Sequence, residues 1–168
     1  LSFVLGDDQR ANVSKNTGQI VFNRNLDGDI NIYTINSNID QSKEVSINSD
    51  SIVKITDPEF AYAHWSPDGK KLVYQAKVIN GWDIFIMDED GGNIKNLSQN
   101  IDDDTNPAWS PDGKWISFVS NREGNNDIFI MDTEGKSVKQ LTKNLLRDIH
   151  PYWSPDSQSI ILNSSGSD

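Results

Sequence analysis

The sequence contains no cysteine, only two histidines, and no apolar run long enough to cross a membrane. The absence of cysteine excludes disulfide bonds, thiolate metal ligands and a cysteine nucleophile. A Gly-x-Ser-x-Gly elbow, a phosphate-binding loop and a dinucleotide fingerprint are also missing. The sequence therefore predicts no catalytic residue, and it predicts no membrane insertion.

The charge balance is strongly acidic, with a formal net charge of −10 at pH 7. An acidic surface repels the phosphates of nucleic acids, so we expect no nucleic-acid partner. Such a surface favours basic partners or cations, but excess carboxylates are also an ordinary solubilising device. Charge alone leaves the kind of partner open.

What the sequence does contain is a repeat of 44 residues, marked by Trp-Ser-Pro-Asp beginning at Trp65, Trp109 and Trp153. The hexapeptide Asp-Ile-Phe-Ile-Met-Asp recurs at the same spacing, at residues 83–88 and 127–132. Self-similarity at about this period is typical of repeat proteins, in which each unit buries its apolar faces against its neighbours. Function is therefore expected on a surface that several units build together.

Each unit contains four short runs rich in Ile, Val, Phe, Tyr and Trp, separated by turn-forming residues and without helical periodicity. Between the first two runs, Ser66, Pro67 and Gly69 suit the first, second and last positions of a type I turn. Residues that every unit repeats are needed by the architecture. We therefore assign the repeated motif to the fold and expect Trp65 and Trp109 to pack between units.

Four-stranded units at this period predict an all-β fold, a partial β-propeller of four-stranded antiparallel blades. The expected blades span approximately residues 8–56, 57–98 and 102–142, with an incomplete blade at 148–168, all in one domain. The first unit is a weaker copy with a polar loop insertion. Because propellers usually close with four to eight blades, we expect a window of a longer protein or a chain completed by a partner. Open blade edges would then favour self-association.

One extended motif resembles the TolB-like β-propeller repeat. Asp-x-x-Pro-x-Trp-Ser-Pro-Asp-Gly-Lys stands at residues 104–114 and, with Ser157 in place of Gly, at 148–158, and an Ile-Phe-Ile-Met-Asp strand and a closing Leu-Thr follow its first copy. The first unit departs from the pattern with Val-Ser-Lys-Asn at residues 13–16, and the second has Phe60 in place of the Asp. The resemblance implies a periplasmic or cell-surface scaffold that engages peptides or proteins at the mouth of the central channel.

The candidate site lies on the face where strand 2 connects to strand 3 and where each unit leads into the next, because variable loops on a rigid scaffold usually carry binding. Candidate carboxylates near the channel mouth are Asp8, Asp104 and Asp148, with Glu59 or Asp57 nearest in the second unit. Converging carboxylates would hold a basic peptide or a divalent cation such as calcium. The alternative is that each Asp caps its own loop, which also explains its recurrence.

Two further residues join the candidate site. His150 follows Asp148 by two residues, at the position where the other units have Asn106, Tyr62 and Arg10. Trp82 is placed in a loop between strands 2 and 3, where it would either cover its own blade or anchor a ligand. Two histidines in separate units do not make a metal site by spacing, so we expect no metal and no cofactor beyond the calcium alternative.

The sequence thus favours a non-catalytic scaffold that binds a peptide or protein partner at the channel-mouth face. A second interpretation is the accessory propeller of a prolyl oligopeptidase-type or tricorn-type peptidase, whose nucleophile lies in another domain. A third, a propeller lyase acting on acidic sugars, requires a cluster of metal-binding His and basic residues that two scattered histidines do not supply.

Overall fold

The structure is a computed structural model that describes residues 7–26, 29–36, 52–54 and 60–166, and the side chains of residues 11–23, 32–35 and 62–166. Within this part of the chain every regular element is a β-strand. No helix of the length and apolarity that a membrane crossing requires occurs there. In chain order the strands are β1 Asp7–Val13, β2 Gln19–Leu26, β3 Asp29–Asn36, β4 Ile52–Lys54, β5 Phe60–Trp65, β6 Lys71–Val78, β7 Gly81–Asp88, β8 Lys95–Asn96, β9 Asp104–Trp109, β10 Trp115–Ser120, β11 Asp127–Asp132, β12 Lys139–Gln140, β13 Arg147–Trp153 and β14 Ile160–Ser165.

The strands form three four-stranded sheets and one two-stranded sheet, each in simple up-and-down order. The four sheets are β1 to β4, β5 to β8, β9 to β12, and β13 with β14, and all pairings are antiparallel. The first strands of successive sheets contact one another, which places β1, β5, β9 and β13 innermost. The predicted fold class, a partial propeller of antiparallel four-stranded blades, is confirmed.

The hydrophobic core lies between successive sheets. Because side chains along a strand point alternately to its two faces, one strand contributes to two separate clusters. Leu72 and Tyr74 of β6 face the first sheet in a cluster with Trp65, whereas Val73 faces the third sheet in a cluster with Phe118. This alternation explains why the central strands are apolar on both faces. Each such side chain contributes roughly 1.5–3 kcal/mol by its burial.

The repeated turn is stabilised by a local hydrogen-bond network. The Gly69 amide donates to the Ser66 carbonyl at 2.9 Å, the Ser66 hydroxyl donates to Asp68 Oδ1 at 2.6 Å, and the Lys71 amide donates to Ser66 Oγ at 2.9 Å. The same contacts recur in the turns that begin at Ser110 and Ser154. The Ser66 hydroxyl is the main cause that lowers the pKa of Asp68. The polar residues of the motif therefore act within the turn.

A second network holds the outermost strand of the third sheet. Asp127, which is buried, accepts hydrogen bonds from Thr142 Oγ1 and Gln140 Nε2, both at 3.0 Å. Thr142 Oγ1 accepts in turn from the Ile128 amide at 2.9 Å. Asp83, Asn96 and Ser98 repeat the arrangement in the second sheet. The recurring Asp before strand 3 and the closing Ser or Thr are thus partners in the fold.

Candidate functional site: an axial groove

The innermost strands share an irregularity at one repeat position. In β5, Tyr62 and Ala63 together lie opposite the single residue Tyr74 of β6, which is a β-bulge. The registers of β1, β9 and β13 shift at the equivalent place. In the last three sheets the bulge contains a residue in the left-handed region, namely Tyr62 with φ 58°, Asn106 with φ 54° and His150 with φ 54°.

These bulges open onto a cavity of about 220 Å³ that is built by all four innermost strands. Its lining consists of Ala11, Asn12, Tyr62, His64, Asn106, Pro107, Ala108, His150, Pro151 and Tyr152. A second cavity of about 160 Å³ shares Asn12 and His64 with the first and reaches the turn residues Ser14 and Ser66. We call the two cavities together the axial groove, because they follow the innermost strands from the bulges to the turns.

The lining of the axial groove is almost uncharged. In the larger cavity, none of the described lining residues is an Asp, Glu, Lys or Arg, and in the smaller cavity only Lys15 carries charge. This contrasts with the net charge of −10 of the whole chain. The groove walls instead offer amides, imidazoles, aromatic rings and prolines, which suit neutral polar and apolar groups.

Both histidines of the chain line the larger cavity, although their sequence positions are far apart. Burial lowers the pKa of His64 to about 4, so this imidazole is neutral at neutral pH. Among the described residues, no group of three or more His, Asp and Glu side chains is arranged to hold a metal ion. The predicted absence of a metal and the calcium alternative both remain predictions.

The structure places Asp104 inside the protein. Its side chain is fully buried and accepts hydrogen bonds from Asn100 Nδ2 and, at 2.9 and 3.0 Å, from Arg122 Nη2. The Arg122 guanidinium lies over the rings of Phe118 and Phe129, with Cζ 5.4 and 5.0 Å from their centroids. Asp104 thereby joins the entry of β9 to the loop that leaves β10.

Asp148 occupies the equivalent position in the fourth sheet and is also fully buried. It accepts hydrogen bonds from Asn144 Nδ2 at 2.9 Å and from the Ser164 hydroxyl. Neither Asp104 nor Asp148 is among the described residues that line the axial groove. A binding role for the two carboxylates remains a prediction, and their observed contacts are those of loop-stabilising groups.

Two other predicted residues lie where less is described. Asp8 belongs to β1 and pairs with Arg24, but its side chain is outside the described part of the structure. Glu59, like the alternative Asp57, lies outside the described residues altogether.

The predicted loop position of Trp82 is wrong. Residues 79 and 80 alone form the turn between β6 and β7, because Val78 pairs with Gly81 and Lys77 with Trp82. Trp82 is half-buried, and its backbone amide donates to Asp103 Oδ1 at 3.0 Å. It therefore lies in a strand that is joined to the loop before β9.

The axial groove brings together His150 with residues that sequence reasoning had not placed in a site. These are Asn12, Tyr62, His64 and Asn106. A signal existed for two of them, because Tyr62 and Asn106 align with His150 in the repeat. No sequence signal indicates that the aligned positions are bulges whose side chains face one cavity.

No curated protein matches the sequence. Among solved structures, TolB from Acinetobacter baumannii matches 97% of this chain and 39% of its own chain, with a TM-score of 0.79 and 23% identity. A putative TolB from Agrobacterium tumefaciens matches 97% of this chain and 57% of its own, with a TM-score of 0.80 and 26% identity.

The same fold also occurs in an enzyme. A puromycin-hydrolyzing peptidase from Mycobacterium tuberculosis matches 94% of this chain and 28% of its own, with a TM-score of 0.70 and 13% identity. The chain thus spans about two fifths to three fifths of the length of the two TolB structures and less of the peptidase. The family model of the TolB beta propeller domain matches residues 58–168, two thirds of the sequence. The chain therefore belongs to the TolB beta propeller domain family.

Proposed function

We propose that the chain is part of a non-catalytic propeller scaffold whose axial groove binds an extended, uncharged segment of a peptide or protein partner. The observation that carries this proposal is the groove lining, which is neutral and rich in hydrogen-bonding and aromatic side chains. Sites of this composition take ligands with matching polar groups and apolar area. Family membership supports a scaffold role and, as the resemblance implies, a periplasmic or extracellular location.

The course of the groove along the innermost strands suits an extended chain. It follows strands such as β5, whose six residues span about 20 Å. The bulges interrupt the regular backbone of the innermost strands, so side chains carry more of the recognition than an added β-strand would. Two groups are suited to this task. The Asn12 side chain, whose Oδ1 accepts from the Trp65 amide at 3.1 Å, keeps its amide NH₂ for a ligand, and His64 offers a neutral imidazole.

The neutral lining changes the expected ligand. The sequence suggested a basic peptide or a cation attracted by converging carboxylates, but two of those carboxylates are buried in contacts with neighbouring loops. Transferring a charged side chain into the groove would remove it from water without an opposite charge to compensate. We therefore favour a neutral segment within the groove, while the partner's remaining surface contacts the surrounding loop face.

A phage-displayed library of random peptides tests the proposal against the immobilised chain. We expect enrichment of peptides with an uncharged central segment, and binding of their synthetic copies in fluorescence anisotropy. Ala11 is exposed and lines the groove, so Ala11→Trp should obstruct binding. Ile94→Trp enlarges an exposed side chain outside the groove and should leave binding unchanged.

Three results would contradict the proposal. Failure to enrich any peptide above an albumin-coated surface would remove the evidence for a peptide site. Equal binding by the wild type and Ala11→Trp would place the site elsewhere. Selection of strongly basic peptides would favour the carboxylates over the neutral groove.

The accessory propeller of a peptidase is the second proposal, and the fold shared with the puromycin-hydrolyzing peptidase is the observation that supports it. The two proposals differ in what accompanies these blades. A hydrolase domain with a Gly-x-Ser-x-Gly elbow encoded in the same gene would favour the peptidase, and further blades without such a domain would favour the scaffold.

A further inference from the structure

The bulges of the innermost strands differ from the hairpin turns in the residues that occupy the left-handed position. The hairpin turn places Gly69 and Gly113 at φ 74° and 73° in two successive units. Glycine is the residue with least steric penalty in this region. The bulge places Tyr62, Asn106 and His150 there instead.

The left-handed backbone at position 62 does not explain why a tyrosine occupies it. Asn and His are enriched among left-handed residues, whereas a bulky aromatic side chain at positive φ is a genuine outlier. Residues held in such conformations cluster at functional sites, where the strain is part of the mechanism. All three bulge residues line the same cavity, which supplies a use for the side chains.

The bulge also determines where these side chains point. An extra residue in one strand redirects a side chain away from the regular alternation of the pleat. For Asn106 the backbone is held from the neighbouring sheet, because its amide donates to Gln75 Oε1 at 2.8 Å and Gln75 is buried. The third blade thus presents an amide side chain on a braced backbone.

We propose that Tyr62, Asn106 and His150 are the specificity-determining residues of the axial groove, each blade contributing one side chain that reads one part of the bound segment. Tyr62 fits an aromatic or proline ring of the ligand, and Asn106 fits a backbone or side-chain amide. His150 fits a neutral hydrogen-bonding group. The inference rests on the proposed peptide-binding function and adds which residues select the peptide.

The test exchanges bulge residues between blades. Tyr62→Asn and His150→Asn introduce the residue that β9 already accommodates at the same φ, so the bulge itself should persist. Peptides selected on the wild type should bind each variant at least about tenfold more weakly, as expected for loss of a central contact. Selection repeated on each variant should return peptides with a different composition at one position. The thermal midpoint should stay equal or rise, because Asn tolerates this conformation better than Tyr.

The control variant removes the backbone strain of a left-handed residue that lies outside the groove. Ser157 has φ 61° at the turn position that Gly69 and Gly113 occupy in other units. Ser157→Gly relieves this strain and removes the hydroxyl that accepts from the Asp112 amide at 3.0 Å, so any change it makes is in stability, and peptide affinity should stay within about twofold of the wild type. This control separates effects on stability from effects on recognition.

The outcomes distinguish failure of the proposed peptide-binding function from failure of the specificity assignment. If the wild type selects no peptide, the proposed function fails. If it selects peptides that bind Tyr62→Asn and His150→Asn with unchanged affinity, the proposed function stands and the specificity assignment is overturned. Tyr62→His, which copies the fourth blade, provides a second variant. Loss of folding in both Tyr62 variants would show that the Tyr serves the blade, and would also overturn the assignment.

Discussion

Each of the last three units of this propeller has one left-handed residue in the hairpin turn and another in the bulge of the innermost strand. At the turn, two of these three units have glycine, Gly69 and Gly113, and the fourth unit has Ser157. At the bulge the backbone recurs while the side chain changes, as at Tyr62 and His150. A turn glycine is favoured by the left-handed backbone. The backbone does not determine the bulge side chains in this way. These side chains line one cavity, and we attribute their variation to what that cavity binds.

The comparison separates fold from function within a repeat. A position that repeats both backbone and side chain serves the architecture, because every blade needs it. A position that repeats the backbone but varies the side chain is a site where blades can differ without harming the fold.

The largest effect is expected at a repeated side chain. Trp65 is 5% exposed and packs between the first and second sheets with Val21 and Met87. Trp65→Ala should lower the free energy of unfolding by roughly 3–5 kcal/mol, as for other large core aromatics. Urea unfolding measures this change. A loss below about 1 kcal/mol would contradict the core assignment and weaken the division.

A second large effect is expected at Asp104. Asp104→Ala leaves Arg122 without its ion-pair partner and should destabilise the fold by roughly 3 kcal/mol, near the low end for a buried pair because Arg122 keeps 21% exposure. Thermal melts of the wild type and of the Asp104→Asn/Asp148→Asn double variant, with and without calcium, address the alternative role. We expect equal calcium shifts in the two proteins. A calcium shift confined to the wild type would assign these carboxylates to a cation site.

The third prediction concerns pH and the groove residue His64. Its pKa is about 4 in the folded state and about 6.5 in the unfolded state, so between these values the unfolded state binds more protons. Stability should therefore fall as the pH decreases from about 6.5 to about 4, by up to about 3 kcal/mol. His64→Gln should remove this component, whereas His150→Gln should retain it. Unfolding titrations at several pH values measure it, and an unchanged pH slope in His64→Gln would refute the burial of this imidazole.

The sequence was sufficient to predict the sheets because the signals for them are local. The turn at Ser66 and the alternation of Leu72, Val73 and Tyr74 act within a few residues, and they recur in each unit. The Asn-Gly pair at residues 80 and 81 is a local signal for a two-residue hairpin turn. It indicates a turn one residue later than the observed one at residues 79 and 80, but it would also have placed Trp82 in a strand.

The axial groove was less predictable because its determinants are not local. Nothing in the residues around Tyr62 indicates positive φ, since Tyr is not a usual occupant of that region. The partner of Asp104 is Arg122, which lies 18 residues away and is replaced by Gly166 at the aligned position of the fourth unit. Repetition indicated that Asp104 matters, but the packing of the sheets decides that its carboxylate is buried.

The smallest change in stability is expected at the left-handed position of the hairpin turn. Ser157 occupies the turn position with φ 61°, where Gly113 has φ 73°. Ser157→Gly relieves the backbone strain of a non-glycine residue but removes the hydroxyl that accepts from the Asp112 amide at 3.0 Å, so we expect a net change in stability below about 1 kcal/mol. Gly113→Ser should cost roughly 1 kcal/mol from its backbone alone, since an added Cβ would meet only Pro67 atoms at 3.8 Å. Gly69→Ser should cost more, because its Cβ would lie 2.6 Å from Ser14 Oγ. Urea unfolding of the three variants and the wild type gives the order of their stabilities. A Gly113→Ser variant as stable as the wild type would show that the backbone of the turn does not require glycine.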